Sequence, residues 1–145
     1  MAVNHRLVAA PPEAVFTVLG NGWLFPVWVV GASRMRSVDD SWPSVGSRIH
    51  HSVGAWPALI NDYTELLEWD PPRRAAMRAR LWPIGEARVE LDVAPAAGGC
   101  RVTITETPTS GPFAVVPRPA VDASIRMRNV ETLRRLAYLA EGHAD

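Results

Sequence analysis

The order of sequence patterns predicts an α+β fold, in which a curved antiparallel β-sheet wraps around one long C-terminal α-helix. The middle of the chain is an unbroken series of segments with a period of two, as in half-buried strands. One strand and two short helices precede this series, and an amphipathic helix from about Val121 to Glu141 follows it. A sheet that curves around a single helix encloses a cavity, so a small-molecule pocket is the leading functional hypothesis.

Composition indicates one soluble domain over residues 1–145. A chain of 145 residues suits one hydrophobic core but not two. Fifteen basic and fifteen acidic residues cancel, which argues against nucleic acid or an anionic membrane as a partner. No stretch reaches the roughly eighteen apolar residues that a membrane span needs, and residues 1–15 lack a signal-peptide pattern. We therefore expect a cytoplasmic protein with no stable membrane insertion.

Alternation and proline define the N-terminal elements. Residues 3–9 alternate between two faces and predict a strand, which a pair of prolines ends because neither has an N–H for a sheet ladder. A helix over Glu13–Leu19 follows, with proline tolerated in its first turn. The apolar segment Trp23–Trp28 is kinked by Pro26 and predicts one helical turn that caps the mouth of the sheet.

Six further strands are predicted from their period of two. They are Ser33–Val38, Ser47–Val53, Leu59–Trp69, Ala75–Trp82, Glu86–Val93 and Arg101–Thr107. The short connections between them require antiparallel neighbours, because a parallel crossover needs about a dozen residues or more. The proline-rich segment Pro108–Ala120 predicts an irregular crossing loop before the last helix.

Strand alternation and helical projection predict which side chains face the cavity between the sheet and the last helix. Asn129 and Thr132 lie on the apolar stripe of the last helix, and a buried Asn needs hydrogen-bond partners. Small inner residues such as Ala79 leave room for a ligand. The predicted ligand-binding set comprises Trp28, Ile49, His51, Asp62, Thr64, Met77, Ala79, Leu81, Val89, Leu91, Ile104, Glu106, Ile125, Asn129, Thr132, Leu133 and Leu136.

The inward polar residues allow two interpretations. His51, Asp62, Glu106 and Asn129 either surround the polar group of a ligand or satisfy one another. If the protein is an enzyme, His51 and Glu106 are the candidates for acid–base catalysis.

No metal or cofactor is predicted. His50 and His51 are adjacent in a strand, so they point to opposite faces and cannot chelate one ion. Cys100 has no basic pattern nearby that would lower the pKa of its thiol. The glycines at 20 and 22 end a helix and lack the spacing of a dinucleotide fingerprint.

The order of several segments resembles a known superfamily over nearly the whole chain. These segments are "APPEAVFTVLGNG", "WLFPVW", "WPSVGSRIHHSVG", "ELLEWDPPRRAAMRARLWPIGEARVELDV", "GGCRVTITETP" and "RNVETLRRLAYLAE". Together they resemble the helix-grip (START-like, SRPBCC) proteins, and within them the polyketide cyclase/dehydrase and lipid-transport family. The resemblance implies about seven antiparallel strands gripping the C-terminal helix around a hydrophobic tunnel. Members bind lipids, sterols, polyketides, plant hormones or quinones, and some are enzymes.

Three functions stay open at this point, of which the first is favoured. The first is a carrier or sensor of a hydrophobic small molecule, such as a lipid, polyketide, sterol or isoprenoid. The second is an enzyme of the cyclase/dehydratase type that uses the polar pocket residues. The third is a protein-interaction module that uses exposed tryptophans and an edge strand. A monomer and a homodimer are equally compatible with the sequence.

Overall fold

Seven strands and three helices make up the described part of the chain. The computed structural model describes residues 1–30, 32–53, 60–81, 85–111, 115 and 118–142. The strands are β1 (Ala2–Val8), β2 (Ala32–Val38), β3 (Arg48–Val53), β4 (Ile60–Asp70), β5 (Arg74–Leu81), β6 (Gly85–Ala96) and β7 (Gly99–Ser110). The helices are α1 (Pro12–Leu19), α2 (Phe25–Trp28) and α3 (Arg118–Gly142), with a 3-10 turn at Gly22–Leu24.

All seven strands form one antiparallel sheet in the order β1-β7-β6-β5-β4-β3-β2. From β2 to β7 the chain is a meander, and β1 is added beside β7 at the edge. Helix α3 lies on the sheet and packs against β1, α1 and α2. This arrangement confirms the predicted α+β helix-grip fold. None of the described helices is long and apolar enough to cross a membrane.

The predicted crossing loop was wrong at both ends. Pro108 lies in β7, where it pairs with Ala87, and α3 begins at Arg118, three residues before Val121. Proline is tolerated in this strand because a β-bulge adjoins it: Ser110 pairs with Glu86, which leaves one extra residue on β7. Strand β7 thereby extends to Ser110, and at the other end its hairpin with β6 lengthens both strands, to Ala96 in β6 and from Gly99 in β7.

The core fills the space between the inner face of the sheet and the helices. Side chains from β4, β6 and β7 such as Leu66, Leu91 and Val102 are completely buried. Helix α1 adds its own apolar face, and Trp42 fixes its C-terminal end by donating an indole hydrogen bond to the Leu19 carbonyl, 3.2 Å away. These contacts hold the C-terminal end of α1 in place.

The outer face of the sheet carries charges of both signs. Arg74 on β5 contacts Glu68, Glu90 and Asp92 at 2.8–3.2 Å, and Arg88 shares the first two of these carboxylates. Such solvent-facing ion pairs contribute little individually. They mark the outer face as wet, as the strand alternation predicts.

Gly99 is a position where the chain permits no side chain. A Cβ atom there would lie 2.0 Å from the Val8 carbonyl oxygen and 2.8 Å from the Ala10 nitrogen. Both neighbours are backbone atoms, so a rotamer change cannot relieve the overlap.

We therefore expect Gly99→Ala to lower the free energy of unfolding by about 3 kcal/mol or more, because the end of β1 must move. Urea unfolding monitored by circular dichroism measures this loss. Gly142→Ala is the matched control, since nothing lies within 4 Å of its Cβ position. Equal stability of the two variants would contradict the steric argument.

Candidate functional site

A partly open cavity lies between the inner face of the sheet, α2 and the middle of α3. Its volume is about 60 Å³, room for a few waters at about 10–15 Å³ each. It is lined by Phe25, Trp28, Val29, Thr64, Met77, Ala79, Val89, Ile104, Glu106, Arg128, Asn129 and Thr132.

Cross-strand register builds the sheet side of the cavity. Met77 on β5 pairs with Val89 on β6, which pairs in turn with Glu106 on β7, so the three side chains form one row across the inner face. On the helix side, Phe25 and Trp28 belong to one face of α2, and their rings meet edge to face with centroids 5.5 Å apart. The wall is therefore mainly apolar, with a carboxylate at one end of the row.

Helix α3 supplies the partners of that carboxylate. The amide nitrogen of Asn129 donates to Glu106 Oε1 over 3.3 Å, and the Arg128 guanidinium donates to the same oxygen. Side-chain exposure is 5% for Glu106 and 39% for Arg128, so the arginine reaches inward from a more exposed position. A buried carboxylate needs such a pairing, because an uncompensated charge in the interior is costly.

A second polar contact lies at the β3–β4 side of the sheet. His51 Nε2 and Thr64 Oγ1 are 2.8 Å apart, and the imidazole stacks on Phe25 with ring centroids 5.4 Å apart. Burial lowers the pKa of His51 to about 4, Asp62 opposes this shift, and Arg36 adds to it. The imidazole is therefore neutral at pH 7, and its Nδ1 has no hydrogen-bond partner among the described residues.

Asp62 is engaged away from the cavity. Its Oδ1 accepts from the Tyr63 backbone nitrogen at 2.9 Å and lies 3.5 Å from an Arg80 nitrogen. Its carbonyl oxygen accepts from Arg36 at 2.8 Å. These contacts involve the chain around β4 and not the lining of the cavity.

The structure places part of the predicted ligand-binding set in the cavity lining. The cavity lining includes Trp28, Thr64, Met77, Ala79, Val89, Ile104, Glu106, Asn129 and Thr132. The described lining does not include Ile49, His51, Asp62, Leu91, Ile125, Leu133 and Leu136, although all are buried. The side chain of Leu81 lies outside the described residues.

The sequence did not predict three of the lining residues, Phe25, Val29 and Arg128. Phe25 could have been found from Trp28, because residues three apart share one face of a helix, whereas Val29 caps the end of α2 in an extended conformation and follows from no such spacing. Arg128 was missed because helical projection places it beside the apolar stripe and not on it. The signal for it was indirect: an inward Glu106 calls for a cation within reach of the same cavity.

The described part of the chain gives little support for a metal site or a nucleophilic cysteine. No group of three or more His, Cys, Asp or Glu side chains there could hold a metal ion. Cys100 is buried, and burial together with the charge of Glu13 raises the pKa of its thiol. A thiol with a raised pKa is not an activated nucleophile.

A family model described as "Polyketide cyclase / dehydrase and lipid transport" matches residues 2–141. The chain belongs to this family. Its fold, its cavity and the order of its segments agree with that membership, so the resemblance inferred from the sequence is confirmed. A search of curated proteins found no match.

Solved structures share the fold along the whole length of the chain. Protein CV1439 from Chromobacterium violaceum is 20% identical, with 96% of each chain covered and a TM-score of 0.72. A protein from Rhodobacter sphaeroides is 25% identical, covering 97% of this chain and 91% of its own, with a TM-score of 0.71. Ara h 8.0201 is 11% identical, covering 97% and 96%, with a TM-score of 0.75. At this level of identity the similarity supports the fold and no particular ligand.

The burial of His51 predicts how the free energy of unfolding changes at acidic pH. Its folded-state pKa of about 4 lies below the ordinary value of 6.5, so protons bind preferentially to the unfolded chain. The stabilisation from neutral His51 is present above about pH 6.5 and is lost as the pH falls toward 4. We expect the wild type to lose about 2 kcal/mol more than His51→Gln between pH 7 and about pH 4.5.

Urea unfolding at the two pH values measures this difference. His50→Gln, at the neighbouring half-buried position, separates the effect of burial from the loss of an imidazole as such. An identical pH dependence for the wild type and His51→Gln would contradict the prediction.

Proposed function

We propose that the protein binds a hydrophobic small molecule in the cavity between the sheet and α3, as a carrier or sensor. The observation that supports this most directly is the lining, in which the aromatic side chains of α2 and aliphatic side chains from three strands, β5, β6 and β7, lie beside a few polar groups, among them the Glu106 carboxylate. Few polar groups on an apolar wall are typical of small-molecule sites. Membership in a family described by lipid transport agrees with the proposal.

The size of the cavity restricts how a ligand enters. About 60 Å³ accommodates a few non-hydrogen atoms, so a larger ligand places one end here and extends through the open side. Trp28 contacts this space from α2, a helix of only four residues. An indole at the wall of the cavity makes ligand entry measurable by its fluorescence.

Catalysis of the cyclase or dehydratase type is the second candidate, and one contact favours it. Glu106 and Asn129 are 3.3 Å apart on one wall of the cavity, where a substrate would meet both. His51 contacts two lining residues, Thr64 and Phe25, but is not part of the described lining itself, so the two candidate acid–base residues do not line the cavity together. For this reason we rank ligand binding above catalysis. A cytoplasmic location is a separate part of the proposal.

Native mass spectrometry of the freshly purified protein, followed by solvent extraction, tests the proposal. A small apolar molecule bound near one-to-one is the expected result. If the protein is empty, a screen of apolar ligands by tryptophan fluorescence follows. Failure of every compound in both experiments would overturn the proposal.

Filling the cavity should weaken binding. Ala79 lines the cavity on β5, and Ala79→Phe places a ring in the space that the ligand requires. We expect the affinity for any ligand found above to fall at least about tenfold, which corresponds to about 1.4 kcal/mol.

The matched control is Ala94→Phe, at an exposed position of β6. It should bind like the wild type, since its ring projects into solvent. Unchanged affinity in Ala79→Phe, with its fold intact by circular dichroism, would place the ligand elsewhere.

A further inference from the structure

The polar end of the cavity contains an acceptor with unused capacity. Both donors to Glu106, from Arg128 and Asn129, reach the oxygen Oε1. Its other oxygen, Oε2, has no hydrogen-bond partner among the described residues. A carboxylate accepts on both oxygens, about four hydrogen bonds in all. A ligand that offers an O–H donor would therefore find a position for it beside Oε2.

Charge restricts the ligand further. Glu106 and Arg128 are the two charged residues of the described lining, and their charges cancel. Arg128 has a buried Nε without a hydrogen-bond partner among the described residues, so it can contact a ligand without leaving Glu106. An anionic ligand would still bring a second negative charge beside the nearly buried Glu106 carboxylate, with one arginine to balance both, which is unfavourable. A neutral ligand avoids this cost.

We propose that the ligand is a neutral alcohol or phenol whose hydroxyl donates to Glu106 Oε2, in preference to a fatty acid or other carboxylate. This inference rests on the proposed function and specifies the chemical class that the site selects. The apolar part of the ligand lies along Met77, Val89 and Ile104, and Arg128 holds Glu106 in place as the acceptor.

Three compounds that share a butylphenyl body and differ in the para substituent test the selection: 4-butylphenol, butylbenzene and 4-butylbenzoate. Their affinities for the wild-type protein at pH 7 are measured by tryptophan fluorescence and confirmed by calorimetry. We expect the phenol to bind at least about tenfold more tightly than the benzoate, and more tightly than butylbenzene. Equal affinities for phenol and benzoate, or tighter binding of the benzoate, would overturn the inference.

Substitution of the acceptor sharpens the test. Glu106→Gln keeps the shape but releases Arg128 from its ion pair, so benzoate binding should improve and the preference for phenol should shrink or invert. Glu131→Gln is the matched control, because Glu131 lies on α3 outside the cavity and pairs with Arg134 and Arg135. An unchanged phenol-to-benzoate ratio in Glu106→Gln would also overturn the inference.

Failure of the assigned ligand class and failure of the binding site give different results. Binding of butylbenzene and the benzoate without preference for the phenol leaves the hydrophobic site in place and removes the assigned ligand class. Absence of binding by all three compounds, at concentrations up to their solubility, removes both. If Glu106→Gln does not fold, the ratio measured on the wild-type protein decides alone.

Discussion

The structure depends on how α3 lies against the inner face of the sheet. Toward its C-terminal end, Leu133, Leu136 and Ala140 join the main core together with α1. Toward its N-terminal end, Ile125 and Val121 form a separate small cluster with Ala2. Between the two clusters the helix presents polar side chains instead, and there the packing leaves the cavity. A continuous apolar stripe would have filled this space with core.

The polar residues buried between the sheet and the helices are paired or neutral, so each of them costs little free energy of folding. At the β7 side, helix and strand share a carboxylate whose charge is balanced by an arginine that enters from the more exposed side. At the β3 side, burial keeps an imidazole neutral, and a threonine hydroxyl satisfies one of its nitrogens. Both solutions avoid an unpaired buried charge. They differ in consequence, because the carboxylate borders the cavity and the imidazole lies behind its wall.

The faces of the strands could be read from the sequence because they rest on a local rule. Successive side chains alternate across a strand, so inward positions such as Met77, Val89 and Ile104 follow from counting. Small irregularities break that rule, and the bulge beside Pro108 lengthened a strand that proline was expected to end. Helical projection has an exception of its own: the long side chain of Arg128 contacts Glu106 although its position lies beside the apolar stripe of α3.

The sequence by itself determined the fold class, the order of its elements and which side chains face inward, because these depend on periodicity and turn chemistry along short segments. Tertiary structure alone decided which inward residues meet. His51 on β3 and Glu106 on β7 both face inward, yet the strand order separates them by four strand spacings, about 19 Å along the sheet. Periodicity specifies a face but carries no distance between strands. The register of the sheet and the placement of α3 joined Glu106 to Asn129 and Arg128, and left His51 with Thr64.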